Sequence, residues 1–172
     1  MRMNIREELL KDNSKEVAEQ IAAWVITTPK RMQEFIHIFL TDEYRVVQMA
    51  AHALGKIADD HPQALQPYLD QLVKRMQDPD VHIAVKRNVV RVLQYVDIPE
   101  HLHGEVMNTC FDMLADPNEA IAVRVFSMTV LDHLSKSYPE IKQELKAIIE
   151  DQLEQGCTAA FRARAKTILK GK

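Results

Sequence analysis

The amino-acid sequence predicts an all-α protein built from repeated pairs of helices. The composition supports this fold class, because only 4 glycines and 6% aromatic residues favour helices over a turn-rich β-sandwich. Apolar residues also recur at helical spacing along most of the chain. Finally, one phrase occurs twice, as DPDVHIAVKR from Asp78 and as DPNEAIAVRV from Asp116. A repeated phrase of this kind indicates a repeated structural unit.

The two copies of the phrase begin 38 residues apart (116 − 78) and stay in register beyond it. The matching pairs are Ile83/Ile121, Ala84/Ala122, Val85/Val123, Lys86/Arg124, Val92/Val130 and Leu93/Leu131. A looser copy occurs in TDEYRVVQMAAHALGKI, where Val46 takes the place of Val85. Another occurs in CTAAFRARAKTIL, where Phe161 takes the place of Val123. A period of this length is typical of a helix-turn-helix repeat.

Prolines and Asp-rich turns are predicted to mark where the helices begin. Pro29, Pro62, Pro99 and Pro139 should each open a first helix, because the missing proline N–H has no partner in the first helical turn. The segment PQALQPYLDQLVKRM has a continuous apolar stripe and is predicted as one helix. The Asp78-Pro79 and Asp116-Pro117 steps are predicted as turn chemistry, and the second helices should follow them. Their buried stripe is expected to begin with Ile83, Val85, Ile121 and Val123.

The helical pairs are expected to form one domain covering residues 1–172. A single pair cannot bury both of its apolar stripes, whereas a stack of pairs can. Five units are predicted, a degenerate one at 1–27 and further ones at about 30–58, 62–97, 100–136 and 139–170. Within the first unit, helices are expected near residues 4–12 and over residues 14–27.

The phrase Asp-Pro-x-x-x-Ile-Ala-Val-(Lys/Arg) and the run Ala53-Leu54-Gly55 resemble the HEAT repeats, an armadillo-like α-solenoid family, and especially small bacterial proteins built only of them. The resemblance implies a right-handed α-α superhelix of about five helical hairpins. It also implies a protein-binding surface whose partner differs from member to member. In the family pattern, pairs such as Asp80/Lys86 and Asn118/Arg124 link neighbouring units, so we expect a structural role for them.

In a HEAT-like stack, the second helices line the concave wall, and the repeat register indicates which side chains recur there. Positions at i, i+4 and i+8 share one helix face. The resulting candidates for partner binding are Gln48, His52, Lys56, Arg87, Arg91, Tyr95, Thr129 and His133. Arginine and tyrosine are favoured in binding hot spots, so an acidic protein partner is predicted. The alternative is that these are ordinary solvated side chains, some of them paired with acids of the next helix.

Nothing in the sequence indicates an enzyme, a cofactor or a metal site. His101 and His103 are two residues apart and should point to different faces of a helix. The glycines are scattered, so they cannot form a phosphate-binding loop. Cys110 and Cys157 are expected to be free thiols packed on helices. We therefore predict a non-enzymatic scaffold or adaptor.

Two alternative functions stay open at this point. HEAT-like stacks also occur in alkylpurine DNA glycosylases, but a net charge of −3 and a pI near 6.2 make a nucleic-acid partner unexpected. A regulatory subunit that stacks end-on with another helical protein would use exposed apolar residues, for which Ile168 and Leu169 are candidates. The sequence contains no apolar run of about 18 residues and no apolar leader at its start, so we expect a cytoplasmic location and no membrane contact. The oligomeric state stays open.

Overall fold

The computed structural model describes residues 3–171, and within this range the chain contains ten α-helices, one 3₁₀ helix and no strand. The α-helices are α1 (Ile5–Lys11), α2 (Lys15–Val25), α3 (Pro29–Thr41), α4 (Tyr44–Asp60), α5 (Leu69–Met76), α6 (Ile83–Leu93), α7 (Glu100–Ala115), α8 (Ile121–Leu134), α9 (Ile141–Gln155) and α10 (Ala159–Leu169). The 3₁₀ helix covers Pro62–Tyr68. The predicted all-α fold class is confirmed.

The helices group into two compact units, Met1–Asp97 and Ile98–Lys172. In the first unit, α4 packs against both α2 and α6, and α3 packs on α4. In the second unit, α8 packs against α7 and α10. Within each unit, second helices of consecutive pairs therefore lie side by side, which brings their equivalent positions together. The single domain over residues 1–172 and its five unit boundaries stay a prediction.

Short polar side chains start four of the helices. The side chains of Asn4, Ser14, Thr28 and Thr158 each accept a hydrogen bond from the backbone N–H three residues later. This arrangement satisfies one of the N–H groups that have no partner inside a helix. The caps fix the starts of α1, α2, α3 and α10.

The repeated Asp-Pro phrase is a turn in both of its copies. Asp78 Oδ1 accepts a hydrogen bond from the backbone N–H of Asp80 at 3.1 Å. Asp116 Oδ1 accepts one from the N–H of Asn118 at 2.9 Å. An aspartate that bonds the backbone two residues ahead forms the turn itself. The predicted turn chemistry is confirmed, and α6 and α8 begin at the equivalent residues Ile83 and Ile121.

The predicted continuous helix from Pro62 is wrong. Residues Pro62–Tyr68 form a 3₁₀ helix, and the α-helix begins only at Leu69. The cause is Pro67, which has no N–H to donate and whose ring clashes with the carbonyl four residues earlier in an α-helix. Two other prolines lie just before their helices, since Pro99 is the N-cap of α7 and α9 starts two residues after Pro139.

The core confirms the repeat alignment at one position and corrects it at another. Val46, Val85, Val123 and Phe161 are all buried. Ile83 and Ile121 were expected to be buried as well, but their side chains are 43% and 36% exposed. Residues two apart on a helix lie about 200° apart around its axis, so Ile83 cannot share the buried stripe of Val85. It lies instead on the face of Arg87, one turn further along.

Side chains from neighbouring helices donate hydrogen bonds to carbonyls near the C-terminal ends of α3 and α7. Arg75 Nε donates to Leu40 O at 3.1 Å. Leu114 O accepts two hydrogen bonds, from Arg124 Nε at 3.2 Å and from Gln152 Nε2 at 2.7 Å. The carbonyls at a helix C-terminus have no partner within the helix, so these bonds offset the cost of covering them. The bond from Arg124 lies within one predicted unit (100–136), so the expected link between neighbouring units stays a prediction.

The two cysteines differ in their surroundings. Both are free, as expected. Cys110 is buried in α7, and loss of solvent raises the pKa of its thiol to about 12. Cys157 lies in the connection between α9 and α10, so its expected place on a helix is wrong. Ile168 is buried and therefore cannot serve as the exposed end contact that the sequence suggested.

Candidate functional site: a basic groove between α4 and α6

The packing of α4 against α6 brings four of the predicted binding residues into one groove. Gln48 and His52 come from α4, and Arg87 and Arg91 come from α6. Each pair is spaced i, i+4, so both members lie on the same face of their helix. The groove has a volume of about 310 Å³. Its other lining residues are Asn13, Met49, Ala51 and Asn88.

The groove contains two guanidinium groups and no carboxylate among the residues that line it. Arg87 is exposed and Arg91 is half-buried. Within the range 3–171, no ion pair or side-chain hydrogen bond is formed by either guanidinium. Each guanidinium carries five N–H donors, so the groove presents a dense set of unused donors with positive charge. The alternative expected from the sequence, pairing with acids of the next helix, does not describe these two arginines.

Gly55 on α4 makes room for the side chain of Arg91. A β-carbon added at Gly55 would lie 2.1 Å from Arg91 Nη1 and 3.2 Å from its Cζ. The guanidinium therefore rests directly on the backbone of α4, in space that any other residue would occupy. Since Gly55 is inside a helix, it lowers helix stability relative to alanine. The close approach of Arg91 is the structural reason for glycine at this position.

Lys56 has a different environment from the two arginines. Its Nζ lies 3.4 Å from Asp60 Oδ2 and 3.7 Å from Glu19 Oε1. The hydrogen bond to Asp60 and the charge of Asp60 raise the pKa of Lys56, with a smaller contribution from Glu19. Lys56 lines an adjacent groove of about 210 Å³ together with Asp59, and Arg91 and His52 line this groove as well. For Lys56, therefore, the structure favours the alternative of an ordinary, internally paired surface charge.

Tyr95 lies outside the helix on which the sequence placed it. Helix α6 ends at Leu93, so the i, i+4, i+8 spacing that relates Arg87, Arg91 and Tyr95 does not continue to the tyrosine. The side chain is 48% exposed, and it is not among the lining residues of either groove. Its placement beside the arginines on one helix face is therefore wrong.

The last two predicted residues, Thr129 and His133, lie on α8 in the second unit. Thr129 is half-buried, and its hydroxyl accepts a hydrogen bond from Arg164 Nη1. His133 is on the surface, and partial burial together with the charge of Lys136 lowers the pKa of its imidazole. The groove between α4 and α6 is lined by residues of the first unit alone.

Three further side chains that line the groove were not predicted from the sequence. Asn88 and Met49 each follow a predicted residue by one position, so a wider helix face would have included them. Asn13 comes from the connection between α1 and α2, and no periodicity could have indicated it. Met49 is a flexible apolar residue of the kind that adapts to different ligands.

Comparison with known proteins identifies the family. A family model described as a HEAT repeat domain matches residues 5–172. The chain belongs to the HEAT repeat family. HEAT repeats generally mediate interactions between proteins and are typically not catalytic. No curated protein matches the sequence of this HEAT repeat chain.

The side chains and helices of residues 3–171 bear on metal binding and on membrane crossing. Among the residues described, no group of three or more histidine, cysteine, aspartate or glutamate side chains is arranged to hold a metal ion. None of the helices in residues 3–171 combines the length and the apolar character that crossing a membrane requires. His103 has a structural role, since Nδ1 lies 2.9 Å from the Tyr138 hydroxyl and Nε2 lies 2.7 Å from Ile98 O.

Proposed function

We propose that this HEAT repeat chain is a non-enzymatic adaptor in the cytoplasm, and that its α4–α6 groove binds an acidic segment of a partner protein. One observation supports the proposal above all others, namely two guanidinium groups without an internal partner in a groove without a carboxylate. A guanidinium matches a carboxylate with two parallel hydrogen bonds, which are about twice as strong as neutral ones. Binding would therefore satisfy donors that the folded chain itself leaves unused.

The other polar groups of the groove make the arginines the main donors. Asn88 Nδ2 donates to Ala84 O at 2.7 Å, and Gln48 Nε2 donates to the Tyr44 hydroxyl. These amide groups are held by bonds to their own helix, so they shape the groove more than they supply free donors. His52 and Asn13 also line the groove, but Arg87 and Arg91 supply its permanent positive charge, so recognition of an anion depends mainly on these two arginines.

Exposed apolar residues beside the arginines support a protein partner over a small free anion. Tyr44 is 48% exposed and precedes Gln48 by one turn of α4. Ile83 precedes Arg87 by one turn of α6 and is also exposed. Apolar groups next to a charged centre are typical of protein interfaces, where they contribute by losing their contact with water. The partner segment is expected to carry an apolar side chain next to its acidic ones.

The proposal is tested by measuring binding to short labelled peptides by fluorescence anisotropy. A poly-glutamate peptide should bind, a poly-lysine peptide should not, and affinity should fall as salt is raised from about 0.05 M to about 0.5 M. The double variant Arg87→Glu/Arg91→Glu should lose at least about tenfold in affinity, which corresponds to about 1.4 kcal/mol. The matched control is Arg162→Glu/Lys166→Glu, an exposed i, i+4 pair on α10 with the same change in charge. This control should bind as the unmodified protein does.

Two outcomes would contradict the proposal. Equal losses in the α6 variant and in the α10 control would mean that only the net charge matters. Tighter binding to duplex DNA than to the glutamate peptide, measured at low salt in a gel-shift assay, would assign the groove to nucleic acid. Circular dichroism of every variant is the check on folding. Retained helix content would mean that a loss of binding is not caused by unfolding.

A further inference from the structure

The second unit contains a groove of quite different chemistry between α8 and α10. Its volume is about 550 Å³, which is within the range of ligand-binding clefts. The lining residues are Ile121, Ala122, Val125, Phe126, Ala160, Ala163, Arg164 and Thr167. Six of these eight side chains are apolar. Ile121 is 36% exposed, and Phe126 is half-buried. Clefts of this volume with a mainly apolar lining are typical of binding sites.

The repeat register relates this groove to the basic one of the first unit. Val125 occupies the position of Arg87, and Ala163 occupies the next equivalent position on α10. Both Ala160 and Ala163 are exposed, and their small side chains leave a channel beside Phe126. The same place in the repeat therefore presents hydrogen-bond donors in one unit and an apolar channel in the other.

Helix α10 contributes positive charge and no negative charge beside the channel. Residues 159–171 contain four cations and no acidic residue. Arg164 lines the groove, and Lys170 lies at the end of α10. Arg162 and Lys166 are each two residues from Arg164, so they lie about 200° around the helix from it. An apolar segment with acidic neighbours would match both the channel and this charge, whereas a basic segment would be repelled.

We propose that the α8–α10 groove is a second binding site, which takes an amphipathic acidic helix from a partner protein. Apolar side chains at i, i+3 and i+4 of that helix would fill the channel beside Phe126 and Ala163, as in other helix-in-groove complexes. Its carboxylates would face Arg164 and Lys170. This site differs in position and chemistry from the α4–α6 groove, and it does not depend on the function proposed for that groove.

The test uses two designed helical peptides with identical leucine positions, one with glutamate and one with lysine at the remaining positions. Binding is measured by fluorescence anisotropy with the full chain. The glutamate peptide should bind, and Ala163→Glu should weaken it at least about tenfold by placing a carboxylate in the channel. Ala159→Glu is the matched control, because Ala159 is also exposed on α10 but does not line the groove. It should leave the affinity unchanged.

The same assay distinguishes this site from the basic groove. Because the basic groove is also proposed to bind acidic segments, the comparison is repeated in the Arg87→Glu/Arg91→Glu variant. This variant should still bind the amphipathic peptide and should lose that binding when Ala163→Glu is added, so each site can fail without the other. The proposal is overturned if the glutamate peptide does not bind, if the lysine peptide binds equally well, or if Ala163→Glu has no effect. It is also overturned if light scattering shows a dimer that Ala163→Glu disrupts, because a second copy of the chain would then fill the groove.

Discussion

The contact between Gly55 and Arg91 predicts that replacing one glycine by alanine will strengthen the fold and weaken binding at the same time. In Gly55→Ala, the new β-carbon would lie 2.1 Å from Arg91 Nη1, whereas ordinary contact begins at 3.4 Å. The guanidinium must therefore move by about 1.3 Å, the difference between these two distances. It is the end of a flexible side chain, so this movement costs little in the free protein.

The expected changes can be estimated separately for stability and for binding. Alanine in place of glycine inside a helix adds about 0.5–1 kcal/mol to the free energy of unfolding. For a chain of this size, that corresponds to a rise of about 1–4 °C in Tm. Displacing Arg91 from its place beside Arg87 should cost about 1 kcal/mol in binding of the glutamate peptide, or roughly a fivefold loss of affinity.

Two comparisons separate this effect from a general change in the helix. Gly104→Ala is the control, because Gly104 is an exposed residue inside α7 and an added β-carbon there meets no atom within 4 Å. It should raise Tm without changing peptide affinity. In an Arg91→Ala background, Gly55→Ala should no longer affect binding, since the two residues act through one contact. A Gly55→Ala protein that binds at the original affinity, or a loss that persists without Arg91, would refute the role assigned to Gly55.

Two further predictions concern buried groups. Burial raises the pKa of the Cys110 thiol to about 12. Alkylation near pH 8 should therefore modify Cys157 alone in the folded protein and both thiols in denaturant. Rapid labelling of Cys110 in the folded protein would contradict its burial. Arg75→Met should lower the free energy of unfolding by about 1–2 kcal/mol, measured by urea denaturation, because Leu40 O loses its partner at 3.1 Å and Asp78 loses its ion pair. The control is Arg45→Met, because Arg45 is exposed and has no side-chain partner among the described residues. An equal loss of stability in this control would contradict the reasoning.

The repeat pattern was sufficient to predict the fold class and the equivalent buried valines of the core. Val85 and Val123 are equivalent in the sequence and are equally buried in the structure. The errors come from places where a local effect competes with periodicity. Pro67 prevents an α-helix despite a well-formed apolar stripe, and α6 ends before Tyr95 although the spacing continues. Apolar character alone also misplaced Ile83, whose angular position on α6 points it away from the core.

The candidate site was predictable in part, for a physical reason. Side-by-side packing of second helices follows from the repeat, so Gln48, His52, Arg87 and Arg91 could be grouped from their register alone. The charge pairing of Lys56 was predictable only in part, because Asp60 follows it at i+4 on α4 whereas Glu19 comes from α2. The apolar groove between α8 and α10 was missed because only polar positions were considered as candidates. Equivalent positions with Val125 and Ala163 carried the necessary signal.

The exposed first residues of the second helices can be substituted during evolution at little cost in stability. Tyr44, Ile83 and Ile121 occupy equivalent exposed positions, and Gln48 and Arg87 follow the first two one turn later, also exposed. Surface substitutions of this kind usually change stability by no more than about 0.5 kcal/mol. During evolution, the exposed residues of one repeat can therefore change from charged to apolar, or back, and its binding specificity can change with them. The helical scaffold stays the same.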